Sequence, residues 1–306
     1  MKKWVLKALI QKAISFLPYK HQINYLFQKY VTKGVQLSEY YFEDRLTHFE
    51  NHLGFYNKYK GAIKGKEILE LGTGWYPVIP LGFFLAGAER IHTVDISALM
   101  DKPKLGTTLN RYLDYIQDGK LNYLNFEQDR LDLLEEIIAE FDQLELSEVL
   151  QKLRINYLVE DARKLPLPSD TVHLITSNNT FEHVYPEILE GILREFVRVL
   201  SEDGLMSHFI DMSDHFAHLD QRITIYNFLQ FSERQWQWID NTIQPQNRWR
   251  ISHFRALYAA QNIPITEEKN RPGDLNALNT VKVHSIYAAI SSADLAISHS
   301  YMVSSY

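Results

Sequence analysis

Two carboxylates frame a glycine turn early in the chain. In Glu67-Ile-Leu-Glu-Leu-Gly-Thr-Gly-Trp-Tyr-Pro77 an apolar strand runs into Gly72, Thr73 and Gly74, with Glu70 two residues before the first glycine. A second apolar run, Thr93-Val-Asp-Ile96, closes on Asp95 and Ile96. Backbone that must lie against a nucleoside needs glycine, because a Cβ would block the approach. Asp95 stands about 20 residues past the glycines, where a nucleotide-binding fold puts the acid that holds ribose hydroxyls. Glu70 discriminates between cofactors. A carboxylate there would repel a pyrophosphate, which prefers a bare helix N-terminus. It would satisfy a buried ammonium, which otherwise loses its hydration uncompensated.

A second concentration of chemistry follows two later strands. Ser177-Asn-Asn-Thr-Phe-Glu-His183 leaves the fourth strand, and His208-Phe-Ile-Asp211-Met-Ser-Asp214-His215-Phe-Ala-His218-Leu-Asp220 leaves the fifth. A positioned base helps a hydroxyl react, by a factor of about 10² to 10⁴. His215 is the first candidate for that base, with Asp211 to orient it, and His183 is the second. The structural alternative is a hydrogen-bonded polar loop for the histidines after strand five and helix-start packing for His183. His208, Asp211, His215 and His218 are of types that hold divalent metals. The run lacks an HxxxH or HExxH helix motif, and His48 and His52, though four apart, have no evident third ligand. The expectation is no metal.

The elements that must position these groups are legible as periodicity. Short apolar runs at Ile68–Leu71, Ile91–Ile96, Ile155–Val159, Val172–Thr176 and Leu205–Ile210 alternate with helical patterns, which indicates parallel strands covered on both faces. Tyr185–Leu200 is the clearest helix, ending before Asp203-Gly204; Leu131–Phe141 and Ser147–Leu153 are two more. A helix near Ile251–Gln261, a strand at Ile263–Glu267 and a last strand within Leu295–Val303 complete the reading. The fold class is α/β: a Rossmann-like, doubly wound, mostly parallel seven-stranded sheet with an antiparallel last strand. Residues 1–60 form a helical N-terminal cap, and 61–306 the main domain with an insertion at about 211–250. Ligands are expected at the carboxyl ends of the strands.

With these motifs in order, the chain resembles the class I S-adenosylmethionine-dependent methyltransferases, in particular their type-11-like branch. The resemblance covers about residues 67–210 well. It implies that Glu70 helps hold the methionyl ammonium, that Gly72, Thr73 and Gly74 lie against the cofactor, and that Asp95, with Ile96 beside it, takes the ribose hydroxyls. In Glu160-Asp161-Ala162 it implies that Asp161 and Ala162 meet the adenine. Ser177 and Asn178 open the segment beside the methionine moiety and the acceptor. One position departs: where a third glycine would fall, this chain has Tyr76 or Pro77.

Composition sets outer bounds. At 306 residues, 45% hydrophobic and 23% charged, the chain has the make-up of an ordinary globular protein. A net charge of −6 argues against a nucleic-acid partner, and the absence of cysteine excludes disulfides and thiol chemistry, which suits the cytoplasm. The N-terminus reads as an amphipathic helix. Lys3, Lys7, Gln11 and Ser15 make one line, and Val5, Leu6, Leu9, Ala13, Phe16 and Leu17 the other side. It either packs on the protein or touches a membrane surface through its lysines and Trp4. The aromatic and arginine-rich insertion (Tyr226, Phe228, Phe231, Trp236, Trp238, Arg248, Trp249, Arg250) suits a sugar or fastens a lid. The leading acceptor is a hydroxyl on a small molecule, such as a saccharide or glycolipid precursor. A nicotinamide-dependent sugar enzyme and a non-catalytic, cofactor-binding scaffold are the alternatives.

Overall fold

The structure, a computed structural model, describes residues 3–17 and 36–306. Its strands are β1 Glu67–Leu71, β2 Arg90–Asp95, β3 Ile155–Val159, β4 Val172–Asn178, β5 Leu200–Asp211, β6 Glu267–Arg271 and β7 His299–Ser305. They form one sheet in the order β3-β2-β1-β4-β5-β7-β6. β1 pairs in parallel with β2 and β4, and β2 with β3. β7 runs against β5: Met212 N–H donates to the Ser298 carbonyl at one end, and Tyr306 N–H to the Gly204 carbonyl at the other. The expected mixed sheet with antiparallel strands at its end is therefore what the chain forms.

By contacts the chain divides into two units. The first takes residues 1–36, 179–190 and 209–302, and the second takes 37–178, 191–208 and 303–306.

The second unit holds β1 to β4 and helices α2 Glu39–Lys60, α3 Val78–Leu85, α4 Lys102–Gln117, α5 Gln128–Glu140, α6 Leu146–Lys152 and most of α7 Pro186–Val199. Ser38 caps α2 by accepting from Tyr41 N–H, which supplies one of the four bonds a helix start lacks. The face of α2 bearing Phe42, Leu46, Phe49, His52 and Tyr56 is buried. Its rings pack edge-on, Phe42 on Tyr112 with centroids 5.0 Å apart and Phe49 on Phe83 at 5.1 Å. α3 is buried along its whole length, as its unbroken apolar sequence requires.

The first unit contains α1 Lys3–Ser15, α8 Glu233–Ile239, α9 Ile251–Ala260, α10 Leu275–Asn279 and α11 Ser292–Ala296. Helix α1 packs on this unit, with its faces reversed from the sequence reading. Trp4, Ala8, Gln11 and Ile14 are buried, while Leu9 is 56% and Phe16 78% exposed. Trp4 decides the orientation by joining the cluster of Phe216, Tyr226, Phe228 and Trp236, and Lys12 Nζ donates to the carbonyls of Gln237 and Asp240. A lysine on the inner face is satisfied this way while its stem covers apolar surface. Residues 18–35, part of the expected cap, lie outside the described residues.

The aromatic insertion is mostly spent on packing. Tyr226, Phe228 and Trp236 belong to that same core, and buried Arg248 donates to the carbonyls of Phe228 and Phe231 and to Glu233. Arg250, fully buried, holds the Met212, Leu295 and Ile297 carbonyls. Only Trp238 among those tryptophans is broadly exposed. β6 begins at Glu267, four residues later than expected at Ile263, because Ile263 closes α9 by donating to the Tyr258 carbonyl. Among the described residues no helix is long and apolar enough to cross a membrane.

Candidate functional site

In the second unit, register alone brings the first set of residues together. Glu70 is paired with Thr93 of β2 and Thr176 of β4, so the three side chains emerge on one face of the sheet. Thr93 donates to Glu70 Oε2 at 3.3 Å, and the hydroxyls of Thr73 and Thr93 are hydrogen-bonded. Gly72 and Gly74 have φ of +88° and +67°, the left-handed region that favours glycine, so the turn needs both. That turn delivers the Gly74 amide to Asp95 Oδ2 at 3.0 Å.

Glu70 is buried and Asp95 half-buried, with little cation nearby. Burial pushes Glu70 up to about 8, aided by the negative charge of Asp95 and opposed by the Thr93 hydroxyl and the Arg45 guanidinium. Asp95 rises to about 7 from burial, against the Gly74 amide and the Thr73 hydroxyl. The arrangement therefore favours a ligand that brings a positive charge to Glu70 and hydroxyl donors to Asp95.

Two further observations suit a nucleoside. A Cβ built on Gly74 would meet nothing within 4 Å, so the turn borders open space. Ile96, directly after Asp95, is 77% exposed, an apolar surface a flat base can cover. Asp161 pairs with Arg163 through contacts of 2.5–3.0 Å, and Ala162 is buried. The side chains of Ser177 and Asn178 are turned to two buried histidines. Ser177 Oγ meets His208 Nδ1 at 2.8 Å, and Asn178 Oδ1 meets His52 Nε2 at 2.9 Å. His52 also meets Ser207 Oγ at 2.7 Å. Burial holds His52 down to about 4 and His208, beside the charge of His52, to about 3, so both are neutral. His208 thus belongs to a structural network, and His52, whose spacing suggested a metal, does too.

In the first unit the other candidates converge. His215 Nε2 lies 3.2 Å from Asp211 Oδ2, and its ring is 4.9 Å from that of His183. His299 approaches the other Asp211 oxygen at 3.3 Å. Burial alone would raise Asp211; the hydrogen bond and charge of His215 and the charge of His299 outweigh it and hold the carboxyl below its ordinary range. His183 is held down to about 4 by burial and by His215, and its Nδ1 donates to the Pro245 carbonyl at 2.7 Å. The structure therefore brings His183, Asp211 and His215 into one group and adds Glu182 and His299, which sequence reasoning missed. Glu182 could have been found from its adjacency to His183. His299 lies 88 positions beyond Asp211 and carries no local signal.

The comparisons with known proteins agree with this architecture. Residues 129–207 match the family model of a methyltransferase domain, a stretch that excludes the glycine turn. No curated protein matches the chain by sequence. The PH0226 protein from Pyrococcus horikoshii OT3 is similar in fold, with 13% identity, 91% of this chain and 97% of that one covered, and a TM-score of 0.50. The phosphoethanolamine N-methyltransferase 2 of Haemonchus contortus, solved with S-adenosyl-L-methionine, has 11% identity over 91% of this chain, with a TM-score of 0.47. An S-adenosylmethionine-dependent methyltransferase from Mesorhizobium loti has 10% identity, 80% and 93% of the two chains covered, and a TM-score of 0.43. The chain spans between half and three fifths of the Haemonchus enzyme, 59% and 52% in its two structures.

The match to a methyltransferase domain thus covers residues 129–207, and the likeness to solved structures is one of fold.

Proposed function

We propose that the protein transfers a methyl group from S-adenosylmethionine to a hydroxyl on a small molecule, a saccharide or glycolipid precursor being the first class to test. The observation that carries the reading is the buried Glu70–Asp95 pair at the glycine turn, whose raised proton affinities call for a cation and hydroxyl donors. Glu70 would hold the ammonium, Asp95 the ribose hydroxyls, the turn from Gly72 to Gly74 the chain between them, and Ile96 and Ala162 the base. Asp161 would reach the base by exchanging its exposed pairing with Arg163, a bond of small net value. Ser177 and Asn178 would contribute backbone, since their side chains serve His208 and His52.

When bound, the cofactor supplies a methyl on a sulfonium, whose C–S bond breaks as the acceptor oxygen bonds to carbon, leaving a neutral thioether. The chain must then align the acceptor and receive its proton. His215 takes that proton, and Asp211 fixes the ring and stabilises its charged form.

Thermal shift with S-adenosylmethionine, its demethylated product and NAD tests the cofactor. The first two should stabilise the wild type and fail with Glu70→Ala and Asp95→Ala. Stabilisation by NAD alone would overturn the reading. Turnover on a panel of hydroxylated acceptors separates an enzyme from a scaffold.

A further inference from the structure

We propose that Glu182, His183 and His215 form a binding site for a first-row divalent transition-metal ion. One ligand atom from each of the three lies within 4.8 Å of the other two. Two imidazoles and a carboxylate are the donor set that zinc, cobalt, iron and manganese ions take, whereas calcium and magnesium prefer oxygen alone.

The surroundings of each ligand support the assignment independently. Metal-binding histidines donate their second ring N–H to a carboxylate or a backbone carbonyl, which fixes the tautomer and aims the other nitrogen. Both histidines here do so. His183 Nδ1 donates to the Pro245 carbonyl at 2.7 Å, which leaves Nε2 for an ion. His215 Nε2 donates to Asp211 at 3.2 Å, which leaves Nδ1.

The segment that carries Glu182 and His183 is clamped. Asn247 Nδ2 donates to the carbonyls of Phe181 and Val184 at 2.7 and 2.9 Å, and Asn247 N–H to that of Glu182 at 2.9 Å. Glu182 is itself only 4% exposed, so its charge would act through a medium of low dielectric. Ligand atoms at about 2.0–2.2 Å from one ion stand roughly 3–3.5 Å from each other. The present 4.8 Å envelope is wider than that spacing, so an ion would draw the three side chains together.

Three protein ligands leave a coordination position open, as catalytic rather than structural sites do. A small oxygen ligand or water would occupy that position. The ion binding does not depend on the methyl-transfer reading.

The test uses the full chain, stripped with a chelator and dialysed, then titrated with Co²⁺ by visible absorption and with Zn²⁺ by calorimetry. One ion per chain should bind, with cobalt bands of low-symmetry nitrogen and oxygen ligation. Glu182→Gln and His183→Gln should each weaken binding tenfold or more, and Asp211→Asn about ten- to hundredfold by freeing the His215 ring. His173→Gln, on β4, should bind as wild type. Absence of saturable binding of either ion to the wild type would overturn the proposal, as would unchanged affinity in both ligand variants. The cobalt spectrum of the wild type does not depend on any variant folding. Failure to find methyl transfer would leave these titrations standing.

Discussion

Buried carboxylates in the two units are treated in opposite ways. Glu70 and Asp95 are pushed up to about 8 and about 7, because burial dominates over the Thr93 hydroxyl and the Arg45 charge at Glu70 and over the Gly74 amide and the Thr73 hydroxyl at Asp95. Asp211, as deeply placed, is held down, because His215 and His299 bring it hydrogen bonds and positive charge. The first pair gains from a cationic ligand supplied from outside the protein. The second is completed by the chain's own imidazoles. The contrast is one of electrostatic surroundings, and it can be broken by substitution.

The largest expected effect is on cofactor affinity. Asp95→Ala and Glu70→Gln should each weaken S-adenosylmethionine binding by a hundredfold or more, since a charge-assisted hydrogen bond in a buried site is lost. In the ligand-free protein at pH 8 the same Glu70→Gln should be neutral or stabilising, because it removes an unfavourable buried charge. Asp211→Asn should destabilise, because it strips His215 and His299 of their partner. Chemical denaturation of the two variants side by side checks the opposition. Equal destabilisation would erase it.

Next comes turnover. His215→Ala should lower kcat by about 10² to 10⁴, leaving the KM for the cofactor nearly unchanged. A large change in that KM would tie His215 to the cofactor.

The pH dependence follows from the same groups with the signs worked out. The ammonium needs Glu70 ionised, so affinity should rise from pH 6 and level off above about 8. Stability of the ligand-free protein has the reverse contribution from Glu70: a raised acid favours the fold below its unfolded value, and that advantage is lost as pH climbs through about 8. His52 and His208 act at the other end. Held near 4 and 3 in the fold, they favour it above the unfolded value near 6.5, and this is lost as pH falls. His52 contributes on the order of 3 kcal/mol at most and His208 on the order of 5, so His52→Gln should flatten the fall in melting temperature between pH 6.5 and 4.

The smallest effects test the reversed face of α1. Leu9→Gln and Phe16→Gln should change stability by less than about 0.5 kcal/mol, whereas Trp4→Ala should cost about 3–5 kcal/mol. Similar losses in all three would restore the orientation expected from periodicity.

The same helix shows where sequence reading stops. Its apolar stripe was clear, but the burial of Trp4 and Ala8 depends on Phe216, Tyr226 and Trp236, more than 200 residues away. Strands β1, β2 and β4 were legible because each is a short, mostly buried apolar run, and β3 was bounded at the right residues, whereas β6, Glu-Glu-Lys-Asn-Arg, carries no such run. Glu70 and Asp95 were legible because their role is set by position at a strand end beside a local glycine turn. His183, Asp211 and His215 were legible as types after strands. That they gather with Glu182 and His299 is a property of tertiary packing, and His208, equally tempting in sequence, is consumed by Ser177. Ser177 and Asn178 show the same limit: their backbone placement after β4 was readable, and the turn of their side chains to His208 and His52 was not.

The most direct measurement is a calorimetric titration of wild-type protein and Glu70→Gln with S-adenosylmethionine and with its demethylated product, at pH 6 and pH 8.5. Saturable binding to the wild type, tighter at pH 8.5 and with net proton release, should largely vanish in the variant. Absence of heat with the wild type, or equal affinity in Glu70→Gln at both pH values, would contradict the assignment of the cofactor site.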